Sequence, residues 1–105
     1  MALQYWAYIF LSPGFDAEQH VTTMDSGSCR FKAIGISMNN KEQVIEIAKQ
    51  LVSEGVQLIE LCGGFGPQWM TKVSAAIKGV IPIGGVFYGP EARKPMLDIL
   101  SKDIS

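Results

Sequence analysis

Val56-Gln57-Leu58-Ile59-Glu60-Leu61-Cys62-Gly63-Gly64-Phe65-Gly66-Pro67-Gln68-Trp69-Met70 (VQLIELCGGFGPQWM, residues 56–70) passes from an almost unbroken apolar run, through a carboxylate and a thiol, into a cluster of glycines. An apolar run of this length predicts a strand covered on both faces, as in a parallel sheet. The glycines that follow predict a tight connection, and Pro67 suits the first turn of a helix, where its missing N–H costs little. The stretch therefore reads as strand, loop, helix, which is one βα unit.

Similar units flank it. Tyr5–Leu11 is a strand closed by Ser12-Pro13-Gly14, and Asp16 is placed to cap a short helix running to about Met24. Arg30–Ile36, with charges in its first half, reads as a strand near a sheet edge. Val44, Ile47, Ala48, Leu51 and Val52 recur at helical spacing, with Asn40 and Gln43 as a capping-box variant and Gly55 past the end. The helix opened by Pro67 carries Val73, Ala76 and Ile77 on one face and closes at Gly79. Ile81–Tyr88 is a further strand with its proline near the start, and Gly89-Pro90-Glu91 opens a last helix, which Pro95 could displace to a later start.

Strand starts near residues 4, 30, 56 and 81 recur at intervals of about 25 residues, the length of a compact βα unit. The expected fold is thus α/β, a four-stranded, mainly parallel sheet of consecutive βα units. Right-handed crossovers leave two packings, a three-layer open sheet or half of a (βα)8 barrel, and the open sheet is preferred because a lone half-barrel exposes its inner face.

At 105 residues, the expectation is one α/β domain over residues 1–105. Net charge is −1 and the nine Lys and Arg are scattered, which argues against nucleic acid and against an anionic membrane as partners. The first apolar run ends at Ser12-Pro13-Gly14, too soon for a membrane span or signal peptide, so a cytoplasmic location is expected, with Cys29 and Cys62 as reduced thiols. Only 18% of residues are charged against 48% hydrophobic, a thin polar shell that points to a homo-oligomer, most simply a dimer.

Alternation along the central strand puts Leu58, Glu60 and Cys62 on one side and Ile59 and Leu61 on the other. Glu60 then stands out, because a carboxylate among Leu and Ile is costly unless paired, hydrogen-bonded or protonated. Glu60 and Cys62 are the candidate catalytic residues, Glu60 as a base and Cys62 as a nucleophile near a helix N-terminus. Gly63, Gly64 and Gly66 could present backbone amides to an anionic or carbonyl oxygen, with Ser12, Phe65 and Tyr88 lining the rim. Phe65, in a glycine loop, is a candidate for covering a pocket or meeting a partner subunit. The plainer alternatives are a paired surface carboxylate, a buried thiol and a tight turn with positive φ angles.

The loop matches neither the dinucleotide fingerprint nor a P-loop, and no residue pattern identifies a cofactor. His20, the only histidine, has no neighbouring ligands, so no metal site is expected; it reads as a solvated loop residue, with a base over the same rim as the alternative. Gly84-Gly85 reads as a packing device, and Trp6, Trp69 and Tyr88 as core or interface aromatics. The pocket so outlined would take a small polar or anionic metabolite at the carboxyl ends of the strands; proton abstraction beside a carbonyl is the chemistry a carboxylate facing amides would suit. The competing reading is a structural or regulatory homo-oligomeric module without a ligand.

The run Ile59-Glu60-Leu61-Cys62-Gly63-Gly64-Phe65-Gly66, after Glu54-Gly55-Val56 and before Ile81-Pro82-Ile83-Gly84, resembles a family of small bacterial and archaeal proteins known only as a domain of unknown function. Tyr8-Ile9-Phe10, Pro13-Gly14 and the Asp16–His20 segment are similar to the start of that family. The resemblance implies a stand-alone domain with a characteristic site, and no particular reaction.

Overall fold

A computed structural model describes residues 2–102. Five strands form one mixed sheet in the order β2-β3-β1-β4-β5: β1 (Tyr5–Leu11), β2 (Val21–Asp25), β3 (Arg30–Ile36), β4 (Ile59–Leu61) and β5 (Ile83–Gly85). β1 lies parallel between β3 and β4, β5 is parallel to β4, and β2 runs antiparallel on the outer edge of β3. The helices are α1 (Gln43–Ser53), α2 (Gly66–Ala76) and α3 (Arg93–Lys102), the last preceded by a 3-10 turn at Pro90–Ala92.

The βα frame is as expected, with corrections in strand number, layering and one helix cap. Where a helix was expected between Asp16 and Met24, Asp16 organises a single turn: its carbonyl accepts the Gln19 and His20 N–H groups and its Oδ1 that of Glu18. Val21-Thr22-Thr23 then extends as β2, since β-branched residues favour a strand and the free edge of β3 offers the hydrogen bonds. Asp25 and Gly27, the latter at φ +89°, close the hairpin into β3. The sheet is therefore five-stranded and mixed. The half-barrel is also excluded, because a barrel wall has its parallel strands in chain order, whereas β1 here sits between β3 and β4.

The steps β3 to β4 and β4 to β5 go in the same direction across the sheet, so right-handed crossovers put α1 and α2 on one face. Ala7 and Ile9 of β1, Ile34 and Ile36 of β3, and Ile59 and Leu61 of β4 point to that face and are buried against Val44, Ala48, Leu51 and Val73 of the two helices. The opposite face carries Trp6, Tyr8, Phe10, Phe31, Met24 and Glu60, and among the described residues no helix packs on it. The arrangement is two-layered, not the three-layered one expected. β2 replaces the helix that would follow β1, and α3 projects beside the start of α2.

α1 ends as expected. Gly55 takes φ +92°, its N–H bonds to the Val52 carbonyl and that of Val56 to Leu51, closing a Schellman motif sealed by buried Val56. The Asn40–Gln43 capping box does not form: the helix starts after Glu42 with no side-chain cap, and Asn40 accepts the Gln43 N–H through its backbone. α2 ends in the same motif, but its left-handed residue is Lys78, at φ 58°, followed by Gly79 at φ 64°. A side chain in that region costs energy that glycine avoids, so Lys78→Gly is expected to raise the unfolding free energy by about 0.5–1 kcal/mol, measurable by urea denaturation.

Glu54, past the end of α1, takes hydrogen bonds from Lys32 Nζ at 3.0 Å and Gln50 Nε2 at 3.2 Å. Chiefly through the lysine, its carboxyl is held below the ordinary value of 4.5. A lowered folded value means that the stabilisation is present above the ordinary value and is lost as pH falls through the folded one. The stability difference between wild type and Glu54→Gln should be under about 1 kcal/mol at neutral pH and shrink as pH drops below 4.5, in denaturation series at several pH values.

Candidate functional site

β1 and β4 are neighbours whose outgoing connections diverge. The chain after β1 crosses the open face, where Phe15 lies over Gly35, while the chain after β4 enters α2 on the other face. Such a divergence makes a crevice at the carboxyl ends of the strands, where open α/β sheets bind their ligands. Tyr8 and Glu60 are cross-strand partners on the open face beside these ends, with Gly84 beyond Glu60 in β5. A Cβ at Gly84 would sit 3.8 Å from Glu60 Cγ, ordinary contact, so this glycine keeps the flank of Glu60 low.

Cys62 continues the β4 ladder, its N–H bonded to the Ile9 carbonyl, and its Sγ accepts the Leu11 N–H at 3.2 Å. The half-buried sulfur thus stitches β1 to β4 at the mouth of the crevice. Ser12, also half-buried, is held by its N–H to the Ile36 carbonyl. Tyr88 is exposed, and its ring lies so close over Gly63 that a Cβ there would be 2.9 Å from it. Burial, then the neighbouring Cys62, Tyr88 and Glu60, push the Tyr8 phenol above its ordinary value, so at neutral pH it is a hydrogen-bond donor.

Of the residues the sequence reading brought together, Glu60, Cys62 and Tyr88 surround Tyr8, Tyr88 lies over Gly63, and Gly64 lies near Cys62, while Ser12 sits at the end of β1. Three details differ. Glu60 is exposed: the strand is covered on one face only, so the carboxylate stands on the open side with Ile59 and Leu61 fully buried beneath it. The argument from a costly buried charge fails, and the position of Glu60 at the crevice is what remains.

Phe65, expected over a pocket or partner, is 4% exposed and packs in the core edge-on to Trp69, because the loop turns it inward ahead of α2. Gly66, expected to present an amide, takes φ +79° with open space where a Cβ would be, and serves the turn into the helix. The N–H groups of Gly63 and Gly64 make no hydrogen bond to the described residues. His20 is an exposed loop residue, its Nδ1 accepting the Asp16 N–H at 2.8 Å and its ring against Phe15. Gly85 faces α2, where a side chain would collide with Met70, so packing accounts for it.

Two residues were missed. Lys41 is half-buried and donates through Nζ to the Gly64 carbonyl at 3.2 Å, placing a cation on the glycine loop. Tyr8 read only as part of an apolar strand. Both follow from the register: Lys41 comes just past the carboxyl end of β3, and Tyr8 is paired with Glu60 across two strands distant in sequence.

Two grooves open near these ends. One of about 640 Å³ lies between the β1 connection and the start of α1, with Asp16, Glu18 and Glu46 in its wall and no cation, which does not suit an anion. The other, about 580 Å³, is lined by Gly63, Gly66 and Pro67 on one side and α3 on the other, with Tyr88 at its edge. Among the described residues no cluster of His, Cys, Asp or Glu could hold a metal ion, and no helix is long and apolar enough to cross a membrane.

The profile of a family of unknown function (DUF6506) matches residues 4–101. No curated protein and no solved structure matches the chain.

Proposed function

The chain belongs to the DUF6506 family of unknown function, and from that premise and the crevice we propose that it binds a small polar metabolite bearing an anionic or carbonyl oxygen, at the carboxyl ends of β1 and β4. The observation that carries this reading is the junction of Tyr8, Glu60, Cys62 and Tyr88 with the glycine loop, where the chain diverges to opposite faces. Glu60 would accept a hydrogen bond from the ligand and Tyr8 would donate one. The Gly63 and Gly64 amides, with Lys41 behind them, would receive its oxygen; Ser12 and Cys62 would form the rim and Tyr88 the cover. If a reaction follows, Glu60 is the base, removing a proton beside the carbonyl held by the amides.

A thermal-shift screen with phosphorylated sugars, keto acids and amino acids tests this. A ligand that binds only the folded state raises the melting temperature, by an amount that grows with its concentration over Kd. A compound that shifts wild type should shift Glu60→Gln and Tyr8→Phe at least tenfold less tightly, the loss expected for one charge-assisted hydrogen bond. A shift unchanged in both variants would remove the crevice as the site.

The second reading is a homo-oligomeric module, a dimer most simply, without a ligand. It is favoured by the exposure of Phe87, Tyr88, Leu97, Ile99 and Leu100, an apolar patch of the kind that marks interaction surfaces. No hit in the screen from a protein that still associates would favour it.

A further inference from the structure

Two apolar surfaces among the described residues are only partly covered, and they are complementary. One is the open sheet face, where Trp6 and Phe31 rings meet at 4.4 Å, Tyr8 stacks on Phe10, and Met24 is 59% exposed. The other is α3, whose Leu97, Ile99 and Leu100 are 57%, 64% and 43% exposed. α3 packs on the 3-10 turn that precedes it and stands off from the rest of its own chain across the 580 Å³ groove. An isolated ten-residue helix is unstable in water, so an amphipathic one that projects from the body needs a surface to lie on.

Topology says which surface. In an open α/β sheet with this order, the step from β1 to β3 runs opposite to the later ones, so a helix after β1 would cover the face opposite α1 and α2. Here β2 has taken the place of that helix, and α3 sits beside the start of α2, away from its own open face. We infer that α3 is exchanged between two copies of this chain, each laying its α3 across the open sheet face of the other. This rests on the dimer reading and deepens it.

The dimensions and charges agree. Ten residues of helix span about 15 Å, and five strands about 19 Å, so one α3 crosses most of one sheet. Glu60 is the sole charged strand residue on the open face among those described. Arg93 lies on the same stripe of α3 as Met96, Leu97 and Leu100, which in a single copy lines the groove facing Gly63 and Pro67; laid on the partner's sheet instead, it would bring one cation to one carboxylate. The chain exposes 6839 Å², against about 5,800 Å² for a compact monomer of its mass. In the dimer the partner's Arg93 would stand beside Glu60 and Tyr8, so each crevice would be built from both copies.

Sedimentation equilibrium from about 1 to 100 µM, with a charge-reversal pair, tests the exchange. Wild type should be dimeric at the upper end. Leu97→Glu, on a helix that its own chain barely contacts, should keep the wild-type circular dichroism and weaken association about a hundredfold. Glu60→Arg and Arg93→Glu should each weaken it about tenfold or more, and an equimolar mixture of the two should dimerise as wild type does, since both pairs are then restored between copies. A wild type monomeric at 100 µM would overturn the exchange, as would a Leu97→Glu chain that associates normally. So would a mixture that fails to recover when the double reversal on one chain does, since that places the contact within a single copy.

Discussion

Phe65→Ala is expected to lower the unfolding free energy by about 3–5 kcal/mol, the range for emptying an aromatic site in a close-packed core. Phe65 is 4% exposed, meets Trp69 edge-on at 6.3 Å between ring centroids, and is the residue from which α2 starts. Its loss opens a cavity and loosens the join between the glycine loop and the helix together. A domain of this size has only about 5–15 kcal/mol to lose, so the variant should show a much lower urea midpoint. A change of under 1 kcal/mol would mean that Phe65 faces outward, toward a ligand or partner.

The neighbouring pair Ile9 and Phe10 carries the second large effect, and the contrast between them decides which face is the core. Ile9 is fully buried in the middle of β1, between Ile34 of β3 and Leu61 of β4. Ile9→Ala should cost about 2–5 kcal/mol by urea denaturation. Phe10 is larger but half-buried on the open face, against Tyr8 and Phe15, so at dilutions where the protein is monomeric Phe10→Ala should cost clearly less than Ile9→Ala. The reverse order would put the core on the aromatic face and overturn the two-layer description.

The parts of the fold that could be read along the chain are those set by neighbours in sequence. β1 and β3 have the expected bounds, and α1 and α2 lie where the spacing of Val44, Ala48, Leu51 and Val73 puts them. The strand expected over 56–62 shortens to Ile59–Leu61, although Gln57, Leu58 and Cys62 continue its hydrogen bonds to β1. β2 was misread because Asp16 is as good at starting a lone turn as a helix. What settles its fate is the edge of β3, which is formed by residues further along.

The site shows the same division. Local sequence was enough to nominate Glu60, Cys62 and the glycines, since period-two alternation and the strand-to-helix turn are short-range properties. It could not say whether Glu60 is covered, because that depends on which face the helices choose.

From sequence alone come the βα frame, the parallel core strands and the strand-to-helix turn at the glycines, because periodicity, capping glycines and chain punctuation act over a few residues. Tertiary structure decided the strand order, the single covered face, the inward turn of Phe65 and the pairing of Tyr8 with Glu60. These depend on crossover handedness and on contacts between segments some fifty residues apart, where burial and not local preference selects the arrangement.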